Sequence, residues 1–78
     1  MNKTNLINSL KKKFKHLKKR EININNDLSQ ELILDSLELM EFMLYLEKRK
    51  YLNFREYTKK HNDFKLSNIL KYINDNKN

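Results

Sequence analysis

The sequence predicts an all-α fold: a small four-helix bundle, with three main helices, one short helix and a long loop between the first and second. Three observations predict it. Apolar residues recur at helical spacing in three separate stretches. Glycine and proline are both absent, which disfavours the tight turns of β-hairpins. Strand-like alternation is confined to Ile22-Asn23-Ile24, too short to organise a sheet. A chain of 78 residues makes one domain, here expected over residues 1–78 with its ordered core from Asn5 to Ile73.

The first helix is expected from Asn5 to Lys19, with Thr4 as its N-cap. Leu6, Leu10, Phe14 and Leu17 recur at spacings of four, four and three, and Ile7 widens that face. Lys11, Lys12, Lys15, Lys18 and Lys19 fall mostly outside it. A loop from Arg20 to Ile33 follows, because Asn23, Asn25, Asn26, Asp27 and Ser29 compete for local backbone hydrogen bonds. Ile22, Leu28 and Leu32, with Ile24 and Leu34, are the residues available to pin it to the core. An unpinned loop of that length would be unusual in a compact domain.

The second helix should start at Asp35 or Ser36 and reach Lys50. Asp35 and Glu38 have the spacing of a capping box, with Asp in place of Ser or Thr. Leu37, Leu39, Met40, Phe42, Met43, Leu44 and Leu46 make it apolar around most of its circumference. Glu38, Glu41, Tyr45 and Lys48 form one narrow polar stripe. Such a helix belongs at the centre of a bundle or partly in an interface. Residues 54–60 form a short helix or an irregular turn, with Phe54 and Tyr57 on one face. The last helix is marked by Leu66, Ile69, Leu70 and Ile73, with Asn62 or Asp63 as its cap. The segment from Asn74 to Asn78 has no apolar anchor and is expected to fray.

Composition narrows the function. There is no cysteine, so no disulfide framework or thiolate metal site can support so small a core. His16 and His61 lie far apart and read as ordinary surface residues, since a zinc site needs three or four protein ligands. No apolar run approaches the roughly 20 residues of a membrane span, and lysines interrupt any signal-like stretch at the start. A cytoplasmic protein is the simplest expectation.

The net charge of +7 invites a nucleic-acid reading, but its distribution is uneven. Residues 1–25 carry eight Lys/Arg against one Glu, residues 26–47 carry six Asp/Glu and no Lys/Arg, and residues 48–78 carry nine Lys/Arg against three Asp/Glu. An acidic island therefore surrounds Ser36. One candidate function is a small basic helical nucleic-acid-binding module using Lys11, Lys12, Lys15, Lys18, Lys19 and Arg20. A solvated lysine face accounts for the same residues without any partner.

Leu34-Asp35-Ser36-Leu37 at the head of the second helix resembles the modification site of acyl and peptidyl carrier proteins. Chain length, helix order with a long first loop, and the final segment Phe64–Ile73 are similar to that family as well. Only residues 27–47 carry specific motif information. The resemblance implies that a phosphopantetheinyl transferase, with coenzyme A as donor, attaches 4′-phosphopantetheine to Ser36. The thiol of that arm would then carry an acyl or aminoacyl thioester between a loading ligase and downstream acyl-processing enzymes. It implies a monomeric shuttle with no catalysis of its own. It also implies that Asp35 caps the helix and helps the transferase recognise the site. Leu37, Glu38, Met40, Glu41 and Glu47 would dock partner enzymes.

Two features depart from the commoner members. Ile33 stands where many fatty-acid carriers have glycine, and those carriers are usually acidic overall. Ile33-Leu34-Asp35-Ser36-Leu37 is closer to stand-alone carriers such as the D-alanyl carrier family, which points to a specialised carrier.

Overall fold

The computed structural model describes residues 1–76 and is an all-α bundle. Its elements are α1 (Lys3–Lys13), a single 3₁₀ turn (Lys15–Leu17), α2 (Ser36–Lys48), α3 (Phe54–Lys60) and α4 (Leu66–Asp75). Apolar faces from all of them close one core. Leu6, Leu10, Leu28, Phe42, Met43, Leu46, Tyr57, Leu66 and Ile69 are fully enclosed there.

The first helix is shorter than its apolar spacing suggests. Asn2, not Thr4, is the N-cap, and its side chain accepts the Asn5 N–H at 2.8 Å. The helix stops at Phe14, whose φ of −115° and ψ of 95° are extended. The 3₁₀ turn that follows returns Leu17 to the buried side. The hydrophobic face therefore continues through a break in the backbone, and Phe14 packs edge-on against Phe42 of α2 at 6.4 Å.

The long loop is held by polar and apolar groups together. Ile22, Leu28, Ile33 and Leu34 are buried. Asp27 is the one buried charged residue among the described residues. Its Oδ1 accepts the N–H groups of Ser29 and Gln30, both at 2.9 Å, and its Oδ2 accepts that of Phe64 at 3.2 Å. The Leu28 N–H donates to the Phe64 carbonyl, and Asp27 bridges antiparallel to Lys65.

These contacts also explain how α4 begins. Neither Asn62 nor Asp63 is its N-cap; Lys65 occupies that position without a side-chain cap. The unpaired N–H groups of the first turn donate instead to loop carbonyls, Leu66 to Asn26 at 2.9 Å and Ser67 to Ile24 at 2.8 Å. Asp63 accepts from both the Asn68 amide and the Lys65 N–H. The Asn68 hydrogen bond, ahead of the Lys65 N–H and the nearby His61 and Lys65 charges, holds its carboxyl below the ordinary carboxylate range.

Helix α2 ends at Lys48 rather than Lys50, and the reason lies in its cap. Lys50 adopts the left-handed conformation, φ 65°. The Lys50 N–H donates to Glu47 and the Tyr51 N–H to Leu46, at 2.8 and 3.0 Å. That is the Schellman arrangement, made with a lysine where glycine is usual. Residues 54–60 are helical, capped by Asn53. Tyr57 there is wholly buried, donates its hydroxyl to the Asp63 carbonyl at 3.0 Å, and stacks on His61 with ring centroids 4.7 Å apart. His61 is thus a packing residue rather than an ordinary surface one, whereas the His16 side chain is 55% exposed. Helix α4 continues through Asn74 to Asp75, past the expected start of fraying. Lys77 and Asn78 lie outside the described residues. The Met1 ammonium reaches Asn74 Oδ1 at 3.2 Å, which ties the start of the chain to α4.

Candidate functional site

The first turn of α2 is organised by its capping box. Asp35 is extended, and its Oδ1 accepts the Glu38 N–H at 2.8 Å. Glu38 Oε1 accepts the Asp35 N–H in return at 3.2 Å. The first intrahelical bond runs from the Leu39 N–H to the Asp35 carbonyl at 2.8 Å. Ser36 is consequently the first helical residue. It is exposed, and no hydrogen bond among the described residues engages its hydroxyl. The N–H groups of Ser36 and Leu37 precede the first helical hydrogen bonds and lie at the positive end of the helix dipole. An anionic phosphodiester on Ser36 Oγ would be favoured there.

Glu38 divides its carboxylate. One oxygen serves the cap, and the other lies 3.5 Å from His16 Nε2 in the 3₁₀ turn. The contact places the 3₁₀ turn beside the start of α2. Glu41 is exposed, with no cationic side chain within ion-pair distance among the described residues. Glu47 is placed differently. It is half-buried, about 16 Å along the helix from Ser36 at 1.5 Å per residue, and accepts the Phe54 N–H at 2.8 Å. It joins α2 to the first turn of α3, so its carboxylate is occupied within the fold.

The outward face of α2 is more apolar than its polar stripe suggests. Leu39, Phe42, Met43 and Leu46 are core residues, but Leu37, Met40 and Leu44 are 65%, 49% and 46% exposed. With Glu41 they make a stripe at helical spacing that starts beside Ser36. Tyr45, assigned to the polar stripe, is half-buried against Phe42, with ring centroids 6.3 Å apart.

Leu32 overturns its expected role. It does not pin the loop: it is 82% exposed and sits at φ 53°, while Ile33 and Leu34 turn inward. A left-handed leucine costs roughly 1–2 kcal/mol, and here no burial offsets it. Strain of that kind collects at functional sites, and this one lies four residues before Ser36. The three consecutive apolar residues at 32–34 were the available signal, because a turn cannot bury all three. Leu32→Gly is expected to raise unfolding stability by roughly 0.5–1 kcal/mol through relief of that conformation. A lower midpoint in chemical denaturation would sink the strain assignment.

Asp35, Ser36, Leu37, Glu38, Met40 and Glu41 thus share the first two turns of α2, whereas Glu47 does not join them. Among the described residues no three His, Cys, Asp or Glu side chains cluster as metal ligands. No helix among the described residues is long and apolar enough to cross a membrane. A scan of protein-family models, a search of curated proteins and a search of solved structures match nothing to this chain.

Proposed function

We propose that the protein is a stand-alone acyl or aminoacyl carrier modified with 4′-phosphopantetheine on Ser36. The observation that carries this reading is the geometry at the head of α2. An unengaged, exposed primary hydroxyl stands at a helix start made rigid by the Asp35–Glu38 capping box, beside an exposed apolar stripe.

The residues present fit the group. Ser36 Oγ supplies the ester oxygen, and the N–H groups of Ser36 and Leu37 stabilise phosphate charge. The Asp35 carboxylate is engaged by the Glu38 N–H. The attached arm supplies a terminal thiol for carrying acyl groups as thioesters, so the absence of cysteine from the chain is no obstacle. In this reading the protein is a substrate and shuttle rather than an enzyme. Its partners are a phosphopantetheinyl transferase, a loading ligase and downstream acyl-processing enzymes in the cytoplasm. Glu41 offers charge for steering a basic partner surface, while Leu37, Met40, Leu44 and Leu32 offer apolar contact. Steering raises association rate without tight binding, which suits a shuttle.

The test is incubation with coenzyme A and a broad-specificity phosphopantetheinyl transferase, followed by intact-mass measurement. Gain of one phosphopantetheine mass is expected, and an unchanged mass refutes the proposal. The docking stripe has its own test. Leu37→Asp should lower transferase kcat/KM by about 10- to 150-fold, the equivalent of the ~1.5–3 kcal/mol released by burying a leucine. Stability should hold, because an acidic residue in the first turn complements the helix dipole. A change in kcat/KM under about twofold would remove Leu37 from the docking surface.

A further inference from the structure

We propose that the basic face of α1 and the 3₁₀ turn is a binding track for single-stranded nucleic acid, separate from the Ser36 site. Asn8, Lys11, Lys12, Lys15 and Lys18 share one side of α1 and the 3₁₀ turn. A groove between α1 and the end of α2, whose lining includes Lys12, Asn8, Tyr45, Arg49 and Tyr51, adjoins it through the shared Asn8 and Lys12. Five cations thus border these two neighbouring surfaces, and no carboxylate lines either of them. Among the described residues none of the five lies within ion-pair distance of a carboxylate.

A merely solvated face explains this less well. Lys11 and Lys12 complement the C-terminal dipole of α1, and Arg49 that of α2 at its C-cap, but the effect fades within the last turn and does not reach Lys18. Lys11 and Lys15, four apart in sequence, carry like charges on one side. The Arg49 guanidinium is held in place by stacking over the Tyr45 ring, 4.8 Å from its centroid. Tyr51, 38% exposed, stands at the end of the track.

The exposed aromatic ring selects the ligand. A paired duplex keeps its base faces stacked inside, whereas a single strand can offer one to Tyr51 beside these cations. A basic groove with an exposed aromatic ring is how proteins hold single strands, the cations following phosphates and the ring stacking on a base. Lys11, Lys12, Lys15 and Lys18 can neutralise about four phosphates of one strand.

The test is fluorescence anisotropy with a labelled single strand of about 12 nucleotides, within the site sizes of such grooves. Binding is expected at ~50 mM salt. The slope of log affinity against log salt should be about −3, from four neutralised phosphates. Tyr51→Ala should weaken binding at least about fivefold. Lys12→Gln with Lys15→Gln should flatten the slope by about 1.4, with the fold checked by circular dichroism. Ser36→Ala should bind like the wild type, so this result stands or falls apart from the carrier reading. The proposal is overturned if the single strand does not bind at low salt, or if a duplex of equal length binds as tightly. It is also overturned if poly-glutamate or anionic vesicles displace the strand at equal charge, which would mark an acidic protein or a membrane as the partner.

Discussion

Ser36→Ala is expected to abolish phosphopantetheine transfer completely while leaving the fold as stable as the wild type. The hydroxyl at this position is the only group the variant removes, and no hydrogen bond among the described residues depends on it. The cap of α2 belongs to Asp35 and Glu38, and the residue is exposed. An exposed substitution away from caps and core changes stability by no more than about 0.5 kcal/mol. Intact mass after transferase treatment should therefore show full gain for the wild type and none for the variant, with matching urea midpoints. Gain of the same mass by Ser36→Ala would place the modification elsewhere and end the assignment.

Asp27→Ala is expected to destabilise the domain by about 3 kcal/mol. Asp27 is 5% exposed and accepts three backbone N–H groups, one of them from Phe64, 37 residues away. Hydrogen bonds to charged groups contribute roughly 1.5–3 kcal/mol each. Water can replace the two local ones, at the exposed Ser29 and Gln30; the partly buried Phe64 N–H has less access. A domain of this length has a total stability of roughly 4–12 kcal/mol, so the loss is a large share of it. Asp27→Asn should fall between, because its amide keeps the local bonds but can present a donor to the Phe64 N–H. Urea denaturation with an unchanged slope measures the difference. A shift worth less than about 1 kcal/mol would show that the apolar residues alone hold the loop.

The two variants mark what the sequence reveals and what it withholds. The start of α2 is legible because a capping box is local: Asp35 and Glu38 are three residues apart, and both halves of the motif lie in one turn. The core faces of α2 and α4 are legible because apolar spacing is local too. Asp27 is not legible in this way. Nothing near it in the chain distinguishes a buried acceptor from a turn-forming aspartate, since its decisive partner is Phe64. The same separation hides the capping of α4 by Asn26 and Ile24 carbonyls, and local reasoning assigns the cap to Asn62 or Asp63. The break at Phe14 is hidden for another reason. It needs neither glycine nor proline, and the 3₁₀ turn keeps Leu17 in phase with Leu10, so the hydrophobic pattern passes over it. Around Ser36 the motif residues were visible, but the outward turn of Leu32 and the exposure of Leu44 depend on which side of the loop and helix the core takes.

The enclosure of Tyr57 has a practical consequence. Burial above all, with lesser contributions from the Asp63 and Asp27 charges, holds its phenol protonated well above the ordinary tyrosine range. The chain contains no tryptophan, so tyrosine dominates its near-ultraviolet signal. A phenol that ionises readily only when the core opens is a built-in optical gauge. Phenolate absorbance at alkaline pH can follow the opening of this bundle without any attached dye.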